Sequence, residues 1–385
     1  MALDIGIARL TYGAVLPGLA ADLDLSFTGA GVLSAVNLAG YLLGTLVAPR
    51  LGKTHGMQWL ASAGHAAVAC GAAVTALAAE PIVLGIGRAL MGTGAGVGLL
   101  ALFVIVFART PVRFRAAAST MIWSGIGLAL VLNGVLLSHL LGAGEWRRAF
   151  FFAAILGVAV TAGLRPGRRG EALPANAQSA SRVEEQTRRT DARRWIPLFS
   201  SYFMFGVAYI AYSTFAGARL AASGASVTVM SASWVVLGIA TIVGCILTAV
   251  LLSTPGIRRS ALSVILLCGA VGAYLVGFDG ALSALLASFF VGLSLAATPA
   301  IITANVRQRT SDAAYARVFS LATASLGVGQ LVGPVLAGML ADRYGPSAVT
   351  TFAAASYALG SVLALADAAF GHEPNGNASG QPSQT

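Results

Sequence analysis

The chain has 385 residues, of which 57% are hydrophobic and only 10% are charged. Its length would allow two or three soluble domains, but soluble proteins carry about 25% charged residues and could not cover their surface with so few. The mean hydropathy of +0.81 also excludes an ordinary soluble composition. The composition therefore predicts a polytopic membrane protein.

Twelve stretches along the chain have the length of about 20 mostly apolar residues that a membrane-spanning helix needs. The first six are predicted at 2–21, 28–48, 57–78, 81–108, 118–141 and 149–164. The second six are predicted at 196–217, 227–252, 259–278, 281–304, 315–341 and 347–369. The first stretch is barely long enough, which leaves open a start upstream of Met1.

These stretches divide the chain into two bundles and two polar segments. We expect an amino-terminal six-helix bundle at 1–164 and a carboxy-terminal six-helix bundle at 196–370. The segment 165–195 between them is a basic linker, and 371–385 is a polar tail for which we expect disorder.

Basic residues are concentrated on one side of the predicted membrane. The net charge is +10, from 24 Lys and Arg against 14 Asp and Glu, and the linker alone holds eight arginines. The loops after spans 2, 4, 8 and 10 add further basic residues on the same side. By the positive-inside rule the linker and both termini are cytoplasmic. Because the charge follows topology, it does not predict a nucleic-acid partner.

The two halves of the chain align when one is shifted by 200 residues. The run Gly6–Tyr12 (GIARLTY) lies over Gly206–Tyr212 (GVAYIAY), and Gly92 lies over Gly292. Two six-helix bundles repeated in the same orientation are the plan of major facilitator transporters.

Over nearly its whole length the chain resembles the major facilitator superfamily (MFS), and within it the bacterial YbfB/YjiJ-type branch. The run Gly6–Tyr12 is similar to that branch's Gly-Ile-Gly-Arg-Phe-Ala-Tyr signature, with Ala8 and Leu10 departing from it. The resemblance implies an all-α integral membrane fold of twelve transmembrane helices in two six-helix bundles. It also implies a secondary transporter that moves a small solute by rocker-switch alternating access, in a bacterial inner membrane.

Two further motifs resemble the superfamily. After span 2, Arg50, Gly52 and Lys53 are similar to the Asp-Arg-x-Gly-Arg signature of a cytoplasmic gate, although Pro49 replaces its acidic residue. In span 4, an arginine followed by spaced glycines is similar to the Arg-x-x-x-Gly-x-Gly motif. The glycines of span 4 and a Gly-Pro pair of span 11 are predicted to pack helices closely: Gly92, Gly94, Gly96, Gly98, Gly333 and Pro334.

Arg9 is the strongest candidate for a functional residue. It lies about 20 Å below the outer surface, well inside the hydrocarbon of the membrane. A charge at that depth costs about 3 kcal/mol, so Arg9 should face the bundle interior or water. Tyr12 shares its face, and the repeat places Tyr209 and Tyr212 opposite. The alternative is that Arg9 bonds helix-end carbonyls and the tyrosines only pack. The candidate substrate-binding residues are Arg9, Tyr12, Asn37, Tyr41, Arg88, Trp123, Tyr209 and Tyr212. For Arg88 a structural role is an equal alternative.

The charges within the spans suggest an anionic substrate. The only carboxylate candidate in the span of Arg9 is Asp4, which an α-helix would place about 140° around from Arg9. An organic anion could therefore complete the electrostatics, and the same shortage weakens proton coupling through a buried acid. His65 and His139 could carry protons, but we expect lone histidines at such positions to be structural.

An enzyme is not expected. The soluble loops are too small for a separate active site, the four histidines form neither HExxH nor a metal cluster, and no cofactor or metal is predicted. The chain has no GxxxxGK[ST] motif, so ATP-driven transport by this chain alone is not expected either. We expect a small-molecule solute and the lipid bilayer as partners, with proton co-transport left open, and a monomer. The alternatives are multidrug or metabolite efflux by proton antiport and a transporter-like sensor that moves nothing.

Overall fold

The computed structural model describes residues 2–111, 114–140, 146–164, 192–254, 260–310 and 312–370. The first helix, α1, has a π-helical part, Ala2–Leu10, and an α-helical part, Thr11–Asp22. The others in the first half are α2 Phe27–His55, α3 Met57–Leu77, α4 Pro81–Arg109, α5 Arg115–Leu140 and α6 Trp146–Gly163. The second half has α7 Ile196–Ala222, α8 Val227–Ser253, α9 Ala261–Leu275, α10 Ala281–Arg309, α11 Asp312–Tyr344 and α12 Ser347–Phe370.

These twelve helices occupy the twelve predicted spans. Among the described residues, nine of the helices are long and apolar enough to cross a membrane by themselves, and α5 and α9 contain shorter apolar stretches. Large apolar side chains such as Leu46, Ile82 and Leu282 are exposed on the outside of the bundle. An apolar exterior is what a bilayer requires. Most of the predicted linker and the whole predicted tail, 371–385, lie outside the described residues.

The two halves repeat in detail at the offset of 200 residues. Ser26 caps α2 by accepting a hydrogen bond from the Gly29 amide, and Ser226 caps α8 in the same way from Val229. Just before these caps the backbone has positive φ at Asp24 and at its counterpart in the second half, Gly224. Equal turns at equal spacing are the structural form of the repeat.

Among the described residues the halves contact each other chiefly through three helix pairs, α1 with α7, α2 with α11 and α5 with α8, and more sparsely through α2 with α7. We call the side of the bundle where α6 ends and α7 begins the linker side, and the opposite one the far side. Glycines bring the backbones together towards the far side. A Cβ added to Gly13 would lie 1.8 Å from the Ser213 carbonyl oxygen, and one added to Gly31 would lie 2.2 Å from that of Pro334. The far side is therefore closed.

A polar contact adds to this closure. The Asp342 carboxylate on α11 accepts hydrogen bonds from the first two amides of α2, at 2.8 Å from Phe27 and 2.9 Å from Thr28. The amides at a helix start lack partners within the helix and attract negative charge. Asp342 therefore ties the carboxy-terminal half to the amino-terminal half at the far side.

Candidate substrate cavity

A cavity of ≈ 250 Å³ lies between the two halves, in the part of the bundle nearer the linker side. Seven helices contribute to its described wall, α1, α2, α4 and α5 from the first half and α7, α10 and α11 from the second, each from its linker-side portion. Its polar lining residues are Arg9, Tyr41, Thr45, Tyr202, Tyr209, Thr303, Thr323 and Gln330. Its larger apolar lining residues include Ile5, Leu99, Phe103, Trp123, Phe205, Leu295, Phe319 and Leu326.

Arg9 is the only charged residue in the described lining of this cavity. Its side chain is buried, and its guanidinium carbon lies 4.6 Å from the centre of the Tyr41 ring. Nε and Nη2 of Arg9 have no hydrogen-bond partner among the described residues. These two nitrogens form one edge of the guanidinium plane, and such an edge fits a carboxylate with two parallel hydrogen bonds. Arg9 can therefore take an anion without giving up an existing partner.

The π-helical start of α1 changes where Arg9 stands relative to Asp4. Bonds in a π-helix run from residue i to i+5, so residues five apart are neighbours along the helix axis. The expected separation of about 140° assumed an α-helix and does not apply to Ala2–Leu10. Asp4 is buried, and its Oδ1 lies 3.3 Å from Nε2 of His65 on α3. His65 is thus paired, where the sequence suggested a lone structural histidine.

Aromatic rings form much of the cavity wall. Phe205 stacks on Tyr209 with ring centroids 4.9 Å apart, and on Tyr202 with centroids 6.0 Å apart. The Tyr209 hydroxyl accepts a hydrogen bond from Gln330 and is also hydrogen-bonded to Arg9. Flat rings beside one cation suit a ligand that has an apolar body and one negative group.

Three of the predicted substrate residues lie outside the cavity lining and hold α1, α2 and α4 together. The Tyr12 hydroxyl donates to the Ala30 carbonyl at 3.0 Å, and Asn37 Nδ2 donates to the Arg88 carbonyl at 2.9 Å. Arg88 Nη1 donates to the Ala8 carbonyl at 3.0 Å, and its guanidinium lies 4.3 Å from the Tyr12 ring centre. These contacts favour the structural alternative that the sequence left open for Arg88.

The remaining predicted residues divide in the same way. Trp123 and Tyr41 line the cavity, whereas Tyr212 is buried outside that lining. Arg50 and Lys53 of the gate motif are exposed at the linker-side end of α2, with Gly52 buried between them. The structure describes no side chain for His139.

The span 4 glycines face two different neighbours. Gly92 and Gly96 meet α2, because an added Cβ would lie 1.9 Å from the Asn37 carbonyl oxygen and 2.3 Å from that of Tyr41. Gly94 meets α3 at Gly64. Gly98 faces the Asp4 carboxylate, and Gly333 of the Gly-Pro pair packs on α7.

Sequence reasoning missed several residues. Asp4 was discounted on α-helical geometry, and Asp342 and Phe205 were not singled out. The described residues hold no group of three or more His, Cys, Asp or Glu that could bind a metal ion. One feature of the sequence could have identified the Asp4 and His65 pair: a carboxylate and a histidine lie within apolar spans, where ionisable groups are costly.

A family model with the description "Uncharacterised MFS-type transporter YbfB" matches residues 1–366. A search of curated protein sequences finds no match.

Several solved transporter structures share the fold. A mutant of the nucleoside transporter NupG superposes with a TM-score of 0.75 at 13% identity, covering 96% of this chain and 97% of that one. A D-xylose-proton symporter gives 0.73 at 13%, covering 94% of each chain. A bacterial homologue of the human lysosomal transporter Spinster, inward-facing and occupied, gives 0.69 at 17%, covering 96% and 93%. At identities this low, the superpositions show only that the fold is shared. That shared fold confirms the predicted twelve-helix architecture.

Proposed function

The chain belongs to the family of MFS-type transporters described by YbfB, and from this premise we propose that it carries a small organic anion with one carboxylate. The family and the similar structures are transporters rather than enzymes, and the protein is a multi-pass membrane protein. The cavity between the halves is the basis for inferring the substrate class and the way the substrate is moved.

The observation that carries the proposal is the free edge of Arg9. Buried polar groups without partners are rare because each costs roughly 1–3 kcal/mol, and more when charged. A carboxylate bound to Nε and Nη2 would remove that cost and add two charge-assisted hydrogen bonds. A cationic solute would leave that cost in place, and a neutral carbonyl could accept a hydrogen bond there but would bring no opposite charge.

Size and shape narrow the class further. A cavity of ≈ 250 Å³ between Phe205, Tyr202 and Trp123 suits a monocarboxylate with a flat apolar body. Tyr209, bonded to both Arg9 and Gln330, joins the two halves at the same place. A ligand held there contacts both halves, as alternating access at a repeat interface requires.

The closed far side and the linker-side cavity support rocking of one half against the other. In this proposal the bundles 1–164 and 196–370 move as units joined by 165–195, and the chain works as a monomer. We place the protein in a bacterial inner membrane, with the linker side and both termini facing the cytoplasm, because the basic loops lie on that side. The cavity then faces the cytoplasm.

The test compares benzoate with its neutral amide, benzamide, and with the benzylammonium cation, by thermal unfolding of the purified protein in detergent. We expect benzoate alone to stabilise the wild type, by about 2.7 kcal/mol at about 100 times its dissociation constant. Arg9→Gln should abolish the shift, and Arg9→Lys should weaken it because the ammonium lacks the flat edge. The control is Arg317→Gln, the same change at an exposed arginine.

Equal stabilisation by benzamide, or a benzoate shift that survives Arg9→Gln, would overturn the proposal. Uptake of labelled benzoate into vesicles that contain only this protein then separates a carrier from a sensor. Protein-free vesicles provide the blank, since benzoic acid itself crosses bilayers. A sensor would show binding but no uptake above that blank.

A further inference from the structure

The pair Asp4 and His65 is a buried acid and base that the proposed anion site does not use. Asp4 is 1% exposed and His65 is 6% exposed, and they join the π-helical start of α1 to α3. Nε2 of His65 lies 3.3 Å from Oδ1 of Asp4. Ionisable groups inside a membrane span are costly and mark proton or ion pathways.

Hydrogen bonding determines how many protons this pair holds. Nδ1 of His65 lies 2.6 Å from the Ala61 carbonyl oxygen, which can only accept, so Nδ1 carries a hydrogen. Nε2 then has a lone pair in the neutral ring and a hydrogen in the charged ring. An ionised carboxylate facing a lone pair is repulsive. The pair is therefore stable with one proton between Nε2 and Oδ1, on either atom.

The pair lies directly behind the cavity wall. Ile5, the residue after Asp4, lines the cavity, and so does Leu99, the residue after Gly98. A Cβ on Gly98 would lie 3.2 Å from Asp4 Oδ1 and 3.4 Å from His65 Cε1, so the glycine lets α4 cover the pair closely. Arg9 follows Asp4 by five residues, one step of the π-helical hydrogen-bond pattern.

The charged surroundings of the pair are cationic. Several described titratable side chains lie on α1 and the helices around it, and α5 contributes none between 121 and 136. They are Arg9, Tyr12 and Asp22 on α1, Tyr41, Arg50, Lys53 and His55 on α2, Cys70 on α3, Arg88 and Arg109 on α4, Arg147 and Arg148 at the far end of α6, and Tyr202, Tyr209, Tyr212 and Arg219 on α7. The one carboxylate among them, Asp22, is paired with Arg147 at the far side. Adding a proton to the pair makes this region more positive, which strengthens attraction for an anion at Arg9. By linkage the anion strengthens proton binding equally.

We propose that Asp4 and His65 form a one-proton site that couples anion movement to protons in the same direction, which is symport. The coupling rests on the proposed anion site, whereas the proton site stands on the pair itself. The proton is taken from water on one side, held between Nε2 and Oδ1, and returned to water on the other side. A single anion and a single proton make each cycle electroneutral.

The first experiment needs no ligand. Nitrogen-15 magnetic resonance of histidine-labelled protein would follow the imidazole rings with pH, with His65→Gln to assign its signals. We expect Nδ1 of His65 to stay protonated, and the proton affinity of the ring to fall at least about tenfold in Asp4→Asn. The exposed His55 should not respond. An unchanged His65 overturns the proton site.

The second experiment measures benzoate affinity in detergent at pH 6 and pH 8, where benzoate itself stays ionised. We expect binding about tenfold tighter at pH 6 in the wild type and in His55→Gln, the control. The double variant Asp4→Asn/His65→Gln keeps hydrogen-bonding groups but binds no proton, so its affinity should not change with pH. The double variant also tests the coupling if Asp4→Asn alone fails to fold.

The two proposals fail in different ways. Benzoate binding that is equal at both pH values in the wild type overturns the coupling. No benzoate binding at either pH overturns the substrate class, and the resonance experiment then decides the proton site by itself.

Discussion

Replacing Asp342 by asparagine should open the far side of the protein. The carboxylate accepts one hydrogen bond from each of the Phe27 and Thr28 amides, across the boundary between the halves. Asparagine keeps one accepting oxygen, so one bond and the negative charge at the start of α2 are lost. A capping contact contributes about 1 kcal/mol, and the charge at a helix start about 0.3–1 kcal/mol when exposed.

The expected change is thus about 1 kcal/mol, or about fivefold in the ratio of far-side-closed to far-side-open protein. Asp342→Ala removes both bonds and should have the larger effect. Pulsed electron paramagnetic resonance between spin labels at Glu80→Cys and Ala281→Cys, both exposed on the far side, would report the two populations.

The matched control is Asp279→Asn. Asp279 also lies at the far side and pairs with Arg219 at 2.9 Å, but both belong to the carboxy-terminal half. Its loss should leave the distance between the halves unchanged. An unchanged distribution in Asp342→Asn, or an equal shift in both variants, would refute the reasoning.

Two more residues at the far side have measurable roles. Gly13→Ala places a methyl group 1.8 Å from the Ser213 carbonyl oxygen, so it should destabilise the closed arrangement by about 1–3 kcal/mol. The same spin-label distance measurement would show this as a larger far-side-open population. Gly18→Ala is the control, because its methyl group enters open space and should change nothing. Hydrogen bonds from Arg147 and Trp146 hold the pKa of Asp22 below its ordinary value of 3.8. The contribution of Asp22 to stability is therefore present above that value and lost as the pH falls through the lower folded value. Thermal unfolding between pH 3 and 7 should show an acid loss that is smaller in Asp22→Asn, and identical curves would contradict it.

Much of the fold was predictable because a bilayer restricts what a chain can do. Every backbone polar group must be satisfied within the membrane, so twelve apolar stretches of sufficient length imply twelve helices. The repeat at an offset of 200 was also visible, through Gly6–Tyr12 and Gly206–Tyr212. The structure adds the equal caps at Ser26 and Ser226, which the alignment had not used.

The candidate site was predictable only in part. A lone arginine within an apolar run is costly anywhere, so Arg9 could be recognised without coordinates. Tyr12 and Arg88 look equally suitable in sequence, yet they contact each other and backbone carbonyls instead of lining the cavity. Which face of a helix meets a cavity depends on its neighbours, and no periodicity within one helix specifies them.

The sequence by itself therefore determined the membrane class, the helix count, the repeat and the cost of Arg9, because these depend on local composition and spacing. Tertiary structure decided the partners. The π-helical register of Ala2–Leu10 places Asp4 and Arg9 one hydrogen-bond step apart, and packing of α3 brings His65 to Asp4. Hydrogen bonds and ion pairs act over about 3 Å, and only the packed bundle brings residues so distant in sequence that close.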